Sequence, residues 1–444
     1  MRVQLPPSAF YPMKNNRLPP REVLENSFIA DFHLHSKYSR ASSKNMEPKT
    51  LFRMGSLKGL DLIGTGDFTH PLYFRELKDF LEFDPETGFY IVKEGDEKGP
   101  RFVLTAEISL IFSYRNHTNR RMHLILIAPN FSVVEEINIY LSKLGNLSAD
   151  GRPTFGITAE RLTLDLLKIS PDILIIPAHA WTPWYSLFGA FSGFDSIEEA
   201  FGEATPFIYA IETGLSSDPE MNWRISALDH ITLVSNSDAH SPWKIGREAT
   251  AFFKPLTYEN FYQSIKENKV AYTIEFYPEE GKYHLDGHRT CKVALYPKEA
   301  MSLGNRCPKC GQPLTIGVLH RIETLADRAE DFLPPNKPYS VHLVPLIEIL
   351  AEVFALNSQS KTVEKLYLQY VNQISTEFDI LLKKDLEELS RKLPEKLVLA
   401  IEKVRKGDIF LQGGYDGVYG VVKIFGDHLQ EENTFLKQKS IFSL

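Results

Sequence analysis

Residues 29–35 read Ile29-Ala30-Asp31-Phe32-His33-Leu34-His35. The stretch is a short apolar run ending in two histidines one residue apart. In an extended strand, residues i and i+2 point to the same face. His33 and His35 therefore aim both imidazoles at one point, and Asp31 shares their side as a third ligand or as a partner behind them. Two imidazoles converging from one strand can hold a divalent metal. The plain alternative is a strand carrying two ordinary histidines, and the rest of the chain argues against it.

Outward from this stretch a rhythm runs to about residue 240. Apolar, β-rich runs fall at 28–35, 61–68, 102–109, 122–129, 173–181, 207–214 and 231–240. Helix-like segments separate them at 47–58, 74–81, 133–144, 159–169 and 219–228. Alternating β and α units imply a mostly parallel sheet. Seven runs in a span of this size suggest a closed or nearly closed barrel. Most runs end in a potential metal ligand: His33 and His35, Asp67, Glu107, His179, Glu212, then Asp238 and His240. In α/β barrels the C-terminal strand ends gather on one face and build the active site. Burying so many unpaired ionisable groups together is costly, and bound cations resolve that cost. His123 opens its run instead of closing it. A hairpin tip within 114–121 would reverse that strand and bring His123 beside Glu107. Glu212 also reads as a carboxylate that only caps a loop or accepts a hydrogen bond.

These motifs resemble the PHP (polymerase and histidinol phosphatase) metal-dependent phosphoesterases. The matching pieces are Asp31-Phe-His33-Leu-His35, Glu107, His123, Pro177-Ala-His179 and Ser237-Asp238-Ala-His240. The stretches Ala30–Ala41 and Gly64-Thr-Gly-Asp67-Phe-Thr-His70-Pro, with Gly317–Arg328 further on, resemble the endonuclease Q branch of that family. The resemblance covers roughly the first three-quarters of the chain. It implies an α/β fold, a distorted seven-stranded (β/α) barrel of PHP type with up to three metals. By carry-over His33, His35, Glu107 and Asp238 bind one ion. Glu107 bridges to a second held by His123 and His179, and Asp67 and His240 hold a third. Two departures bear on the third ion. Asp67 stands where the family has a histidine, with His70 three residues on, and Ala41 occupies the place of a further ligand.

A second motif carries all three cysteines, Cys291, Cys307 and Cys310. Cys-Pro-Lys-Cys followed by Gly311 is a knuckle whose turn aims two thiolates at one ion. An odd cysteine count with this spacing suits a metal site in a reducing compartment better than a disulfide framework. His288 completes a tetrahedral structural zinc site, with His284 and His320 in reserve. A site of four protein ligands leaves no open position for chemistry.

Substrate-facing candidates surround the first cluster. Trp181, Trp184 and Tyr185 leave the His179 strand end in an aromatic stretch reaching Phe194, which reads either as core packing or as a surface that stacks an unpaired base. Arg115, Arg120 and Arg121 flank His117 in a loop suited to phosphates. From 340 onward the pattern is helical, with Leu382, Leu386, Leu389 and Leu393 on one face. Residues 413–420 are glycine-rich but lack a Walker lysine, so a tight turn between two short strands is the better reading.

These readings divide the 444 residues into a metallophosphoesterase barrel (1–275), a zinc module (276–328) and a mainly helical region (329–444), with residues 1–27 as an arm on the barrel. Apolar residues make up 43% and charged ones 24%, an ordinary soluble mix. No apolar run approaches the roughly 20 residues of a spanning helix. The N-terminus lacks a signal-peptide apolar core, so a cytoplasmic protein with no membrane partner is expected. A net charge of −7 weighs mildly against a nucleic-acid binder, but acidic metal ligands distort that tally. The resemblance implies a DNA repair endonuclease that cuts 5′ to a deaminated base (hypoxanthine, uracil, xanthine) or an abasic site. His33, His35, Glu107, Asp238 and His240 would be its catalytic residues, with Zn2+, or Mg2+ or Mn2+ at the cluster. DNA would be its partner, with replication or repair proteins beside it. A histidinol-phosphatase-like phosphomonoesterase is the runner-up, and it leaves the zinc module unexplained. A scaffold without catalysis would need a lost metal site.

Overall fold

The computed structural model describes residue 16 and residues 18–93, 99–115 and 118–426. His117 and most of the N-terminal arm lie outside the described residues. Each of the seven expected runs contains a strand: β1 (Ser27–Asp31), β2 (Leu62–Gly64), β3 (Arg101–Tyr114), β4 (Thr118–Ala128), β5 (Leu174–Pro177), β6 (Ala210–Glu212) and β7 (Thr232–Val234). The helices between them begin where the sequence supplies caps. Thr158 accepts from Arg161 N–H and opens Ala159–Ile169, and Asn130 accepts from Val133 N–H and opens Phe131–Ser142. Pro48 and Pro71 occupy first-turn positions where a missing N–H costs nothing.

The sheet is mixed. β1 pairs parallel with β2, and β2 with β3. β3 and β4 form a long antiparallel hairpin in which Ser109 faces His123, so the strand reversal expected near 114–121 is present. β4 then pairs antiparallel with β5. β6 and β7 form their own parallel pair, outside the larger sheet. The α/β class stands, with more antiparallel pairing than the mostly parallel sheet expected. On the other side of β1 the sheet continues through β8 (Ala249–Phe253), β9 (Val270–Glu275) and β10 (Tyr339–His342). The region beyond residue 329 thus contributes a strand to the sheet as well as its helices.

Of two further expectations, one met a different local structure. The stretch 382–393 is not one helix. A π-helical turn, Asp379–Lys383, is followed by the short helix Leu386–Ser390, and Glu395–Lys406 starts after Pro394. The Arg405 guanidinium takes the carbonyls of Ile380, Leu381 and Lys384, satisfying the end of the first turn and fixing the break. The glycine-rich 413–420 segment does join two short antiparallel strands, Phe410–Gln412 and Val421–Lys423. Among the described residues no helix is long and apolar enough to cross a membrane.

Candidate metal centre

β1 delivers His33 and His35 to the site, as its alternation requires. Just beyond the strand, Leu34 bridges to Ala239, and Phe32 N–H donates to Asn236 Oδ1 at 2.9 Å. These contacts bring the Ser237–His240 segment alongside. Asp31 joins neither ligand group. Its two oxygens accept from Ser237 N–H (3.1 Å) and Gly246 N–H (2.8 Å), holding the loop that carries Asp238. Burial raises the Asp31 carboxyl to about 6.

The ligand atoms form two groups that share one carboxylate. His33, His35, Glu107 and Asp238 make the first, and Glu107, His123 and His179 the second, with the ligand atoms of each within 4.8 Å of one another. Glu107 is buried and its oxygens face opposite ways. Oε2 lies 3.1 Å from His35 Nε2 and 3.7 Å from His33 Nε2. Oε1 lies 2.8 Å from His123 Nδ1 and 3.0 Å from His179 Nε2. Asp238 Oδ1 sits 3.1 Å from His35 Nε2. His33 Nε2, His35 Nε2 and Asp238 Oδ1 are buried with no hydrogen-bond partner. Three orphaned buried ligand atoms aimed at one point fit a divalent cation.

The crowded carboxylates and imidazoles shift one another strongly. Burial pushes the Glu107 carboxyl upward, but His123 and His33 outweigh it and hold it well below its usual range. Burial opposes charge on His33 and His35, yet Glu212 and Glu107 for the first, and Asp67 for the second, raise both well above an ordinary imidazole. Burial lowers His123 to about 4. Asp67, His179 and Asp238 have positive φ of 41°, 30° and 46°. Each non-glycine residue in that region costs roughly 1–3 kcal/mol, and such strain gathers at functional sites. Here three such residues follow strand ends around the site.

A second layer orients the imidazoles. Glu212 accepts from His33 Nδ1 (2.9 Å), His179 N–H (2.7 Å) and Asn236 Nδ2 (3.0 Å), tying three strand ends with one carboxylate. Asp67 stands behind His35 and in neither ligand group. Its Oδ1 faces His35 Nδ1 at 3.1 Å, and its Oδ2 accepts from Ser36 N–H and Oγ at 2.6 Å and Ser39 Oγ at 2.8 Å. Both carboxylates thereby fix the tautomer that presents Nε2 to the cluster. His240 lies at the rim, its ring 4.2 Å from that of His35. Its Nδ1 donates to the Asp238 carbonyl at 3.0 Å, so Nε2 is left to accept a proton or a ligand. His70 is buried and stacked on Tyr38 at 4.1 Å, away from both groups.

Arg152 reaches the ligand groups although no motif announced it. Its guanidinium donates to Glu107 Oε2 at 2.9 Å. Gly151 precedes it, where a Cβ would collide with Asp67 and Ser39. Only glycine lets this loop lie so close.

The aromatic stretch divides. Trp181, expected at the substrate surface, is core: it is 1% exposed, donates Nε1–H to Asn222 Oδ1 at 2.8 Å and packs on Phe188. A large ring with its one polar atom satisfied gains more from burial than from solvent. Trp184 is 39% exposed and stacked on Phe191, itself 47% exposed, at 4.7 Å and 17°. The Tyr185 ring lies 5.0 Å from that of His123, with the Arg121 guanidinium over it. Arg120 turns away, onto Phe194 and towards Glu199. Arg115 lies over Tyr114 at the hairpin tip.

His288, Cys291, Cys307 and Cys310 converge as a separate group. A short hairpin, Asp286–His288 and Val293–Leu295, supplies the first two. The Cys307 thiol is raised by burial but held down to about 6 by the backbone N–H groups of Lys309 and Cys310. His320 instead pairs with Asp286 at 2.6 Å, and neither it nor His284 joins the group.

The fold and the clustered ligands define a metal-dependent phosphoesterase. Comparison narrows this. The crystal structure of the lesion-specific endonuclease PfuEndoQ from Pyrococcus furiosus matches with a TM-score of 0.79 and 33% identity, over 92% of this chain and 98% of that one. Endonuclease Q in complex with a 27-mer duplex carrying an abasic lesion at its active site matches at 0.77 and 33%, over 92% and 100%. The chain belongs to the endonuclease Q family. The MJ0043 C-terminal domain family matches residues 345–408. Uncharacterized protein MJ0043 of Methanocaldococcus jannaschii is 32% identical over 252 residues, 55% of this chain but 31% of that protein, so this chain spans about a third of that relative. Uncharacterized protein YqxK of Bacillus subtilis is 29% identical over 89% of this chain and 98% of its own.

Proposed function

We propose that this chain is a DNA repair endonuclease, acting in the cytoplasm, that hydrolyses the phosphodiester 5′ to a deaminated or abasic nucleotide. The observation that carries this reading is the Glu107-bridged pair of ligand groups. It is set in a chain that matches, almost end to end, an endonuclease Q holding abasic-lesion DNA. His33, His35, Glu107 and Asp238 would hold one divalent ion and Glu107, His123 and His179 a second. Such ions, Zn2+ or alternatively Mg2+ or Mn2+, supply Lewis acidity to phosphate oxygens and acidify a water nucleophile.

The protein's own groups do the rest. Glu212 and Asp67 keep His33 and His35 turned inward. Arg152, with Arg121 beside Tyr185, offers positive charge to a phosphate approaching the cluster. Neutral His240, its Nε2 outward at the rim, is placed to hold a proton next to the reacting phosphate. Trp184 and Phe191 present an exposed aromatic surface for an extruded or flanking base. Damaged pairs are cheaper to open, which itself supplies selectivity. His288 and the three cysteines would hold a structural Zn2+.

The test uses the purified protein and end-labelled duplexes carrying one deoxyuridine, deoxyinosine or abasic site, with and without divalent metal. The expected result is a metal-dependent single-strand break 5′ to the lesion, with 3′-hydroxyl and 5′-phosphate ends. Release of free base would indicate a glycosylase. Hydrolysis of small phosphomonoesters with intact DNA would favour a phosphatase.

A further inference from the structure

The loop that carries Asp238 and His240 is held from two directions. The barrel holds it through Asp31, whose oxygens take Ser237 N–H and Gly246 N–H at its two ends. Arg247 closes the loop on itself, its Nε donating to the Ser237 carbonyl at 2.9 Å. Asp238 keeps a φ of 46° inside it, and such a backbone persists only where its surroundings over-determine it.

The second hold comes from the helical region, at three points. The Trp243 ring meets that of Tyr367, on the helix Lys361–Gln373, edge to face at 5.3 Å and 90°. Lys244 Nζ donates to Glu348 Oε1, on the helix Leu346–Val353, at 2.8 Å. Gly246, at φ 69°, lies against the Phe378 ring, where a Cβ would come within 3.3 Å of Cζ. The receiving surface is itself fixed. Tyr367 and Phe378 are buried, and beside them Glu377 Oε2 lies 2.7 Å from Lys58 Nζ in a buried ion pair. Glu377 Oε1 accepts from Leu346 N–H at 2.9 Å. Disturbing either partner would strand a buried charge, so this surface is rigid. Trp243 is only partly buried and packs at the edge of the core.

We propose that the helical region positions the metal centre. By seating residues 243–246 it sets the loop that presents Asp238 to His35, and Trp243 is the positioning residue in that contact. The proposal rests on the reading of the Glu107 cluster as a metal centre.

The test titrates chelator-stripped, full-length protein with Mn2+ by calorimetry and follows nicking of a lesion duplex in parallel. Trp243→Ala should weaken Mn2+ binding at the cluster about tenfold, the lower end of the range for lost support behind metal ligands. It should lower kcat and leave KM for the duplex unchanged. Trp243→Phe should restore both, because an edge-to-face ring contact returns. Trp243→Leu fills much of the space without a ring and carries the same expectation as alanine should that variant not fold. Full Mn2+ affinity in a folded Trp243→Ala or Trp243→Leu protein, with only a lower unfolding midpoint, would overturn the proposal and leave Trp243 a packing residue. Equal weakening in Trp243→Phe would overturn it too. Absence of Mn2+ uptake by the unaltered protein would instead remove the cluster reading, and the proposal with it.

Discussion

The cysteine group and the Glu107 groups are built differently. The first draws its donors from residues 288–310, on one short hairpin and one knuckle. The second gathers residues from 33 to 238, from beyond the ends of β1, β5 and β7 and from the middle of the β3–β4 hairpin, and none of it exists until the sheet has formed. Local turns make a closed structural site. Long-range strand ends make a strained, partly open one, where three residues hold positive φ and an arginine borders the ligands. The sharing of Glu107 then couples the halves, so damage to one should spread, whereas damage at the cysteines should stay local.

The largest contrast comes from single side chains at each site. Glu107→Gln should disable both halves of the cluster together and cut nicking by at least about 10³-fold, the upper range for losing one electrostatic stabiliser. Single-turnover assays and metal analysis would show it, and retention of a full metal complement would break the bridging account. Cys307→Ser with Cys310→Ser should remove one zinc per chain and lower the unfolding midpoint. It should leave the cluster loaded; elemental analysis with unchanged zinc would refute it.

Smaller effects sharpen the comparison. Glu212→Gln leaves every ligand atom in place but loosens His33, and should weaken metal affinity by roughly 10–100-fold. Titration of stripped protein followed by activity would measure this. Trp184→Ala should reduce discrimination between damaged and normal DNA by roughly 1–3 kcal/mol, the range for a lost base stack. Trp181→Ala should instead cost fold stability, roughly 3–5 kcal/mol, as for a large core residue. Comparing binding of both variants to lesion and normal duplexes with their thermal unfolding separates the roles.

Much of this was legible because β alternation and strand-end position are written in the residues. Seven apolar runs announced the strands, and the reversal between 114 and 121 announced that His123 would meet Glu107. The knuckle spacing, with His288 three residues before Cys291, drew the cysteine site. Direction at a strand end was not legible. Asp67 closes its run as a ligand would, yet a turn with φ of 41° sends its carboxylate behind His35. Trp181 follows a site histidine, but one asparagine, Asn222, on another segment makes it core. Arg152 belongs to no motif, and only Gly151 beside it hinted at a close approach.

The most direct test follows nicking of a deoxyinosine duplex while Mn2+ is returned to chelator-stripped protein. Activity should be absent at the start and return only as both Glu107-linked groups fill, with the break on the 5′ side of the lesion throughout. Nicking by the stripped protein in the presence of chelator would contradict the central claim that this cluster performs its chemistry with bound metal.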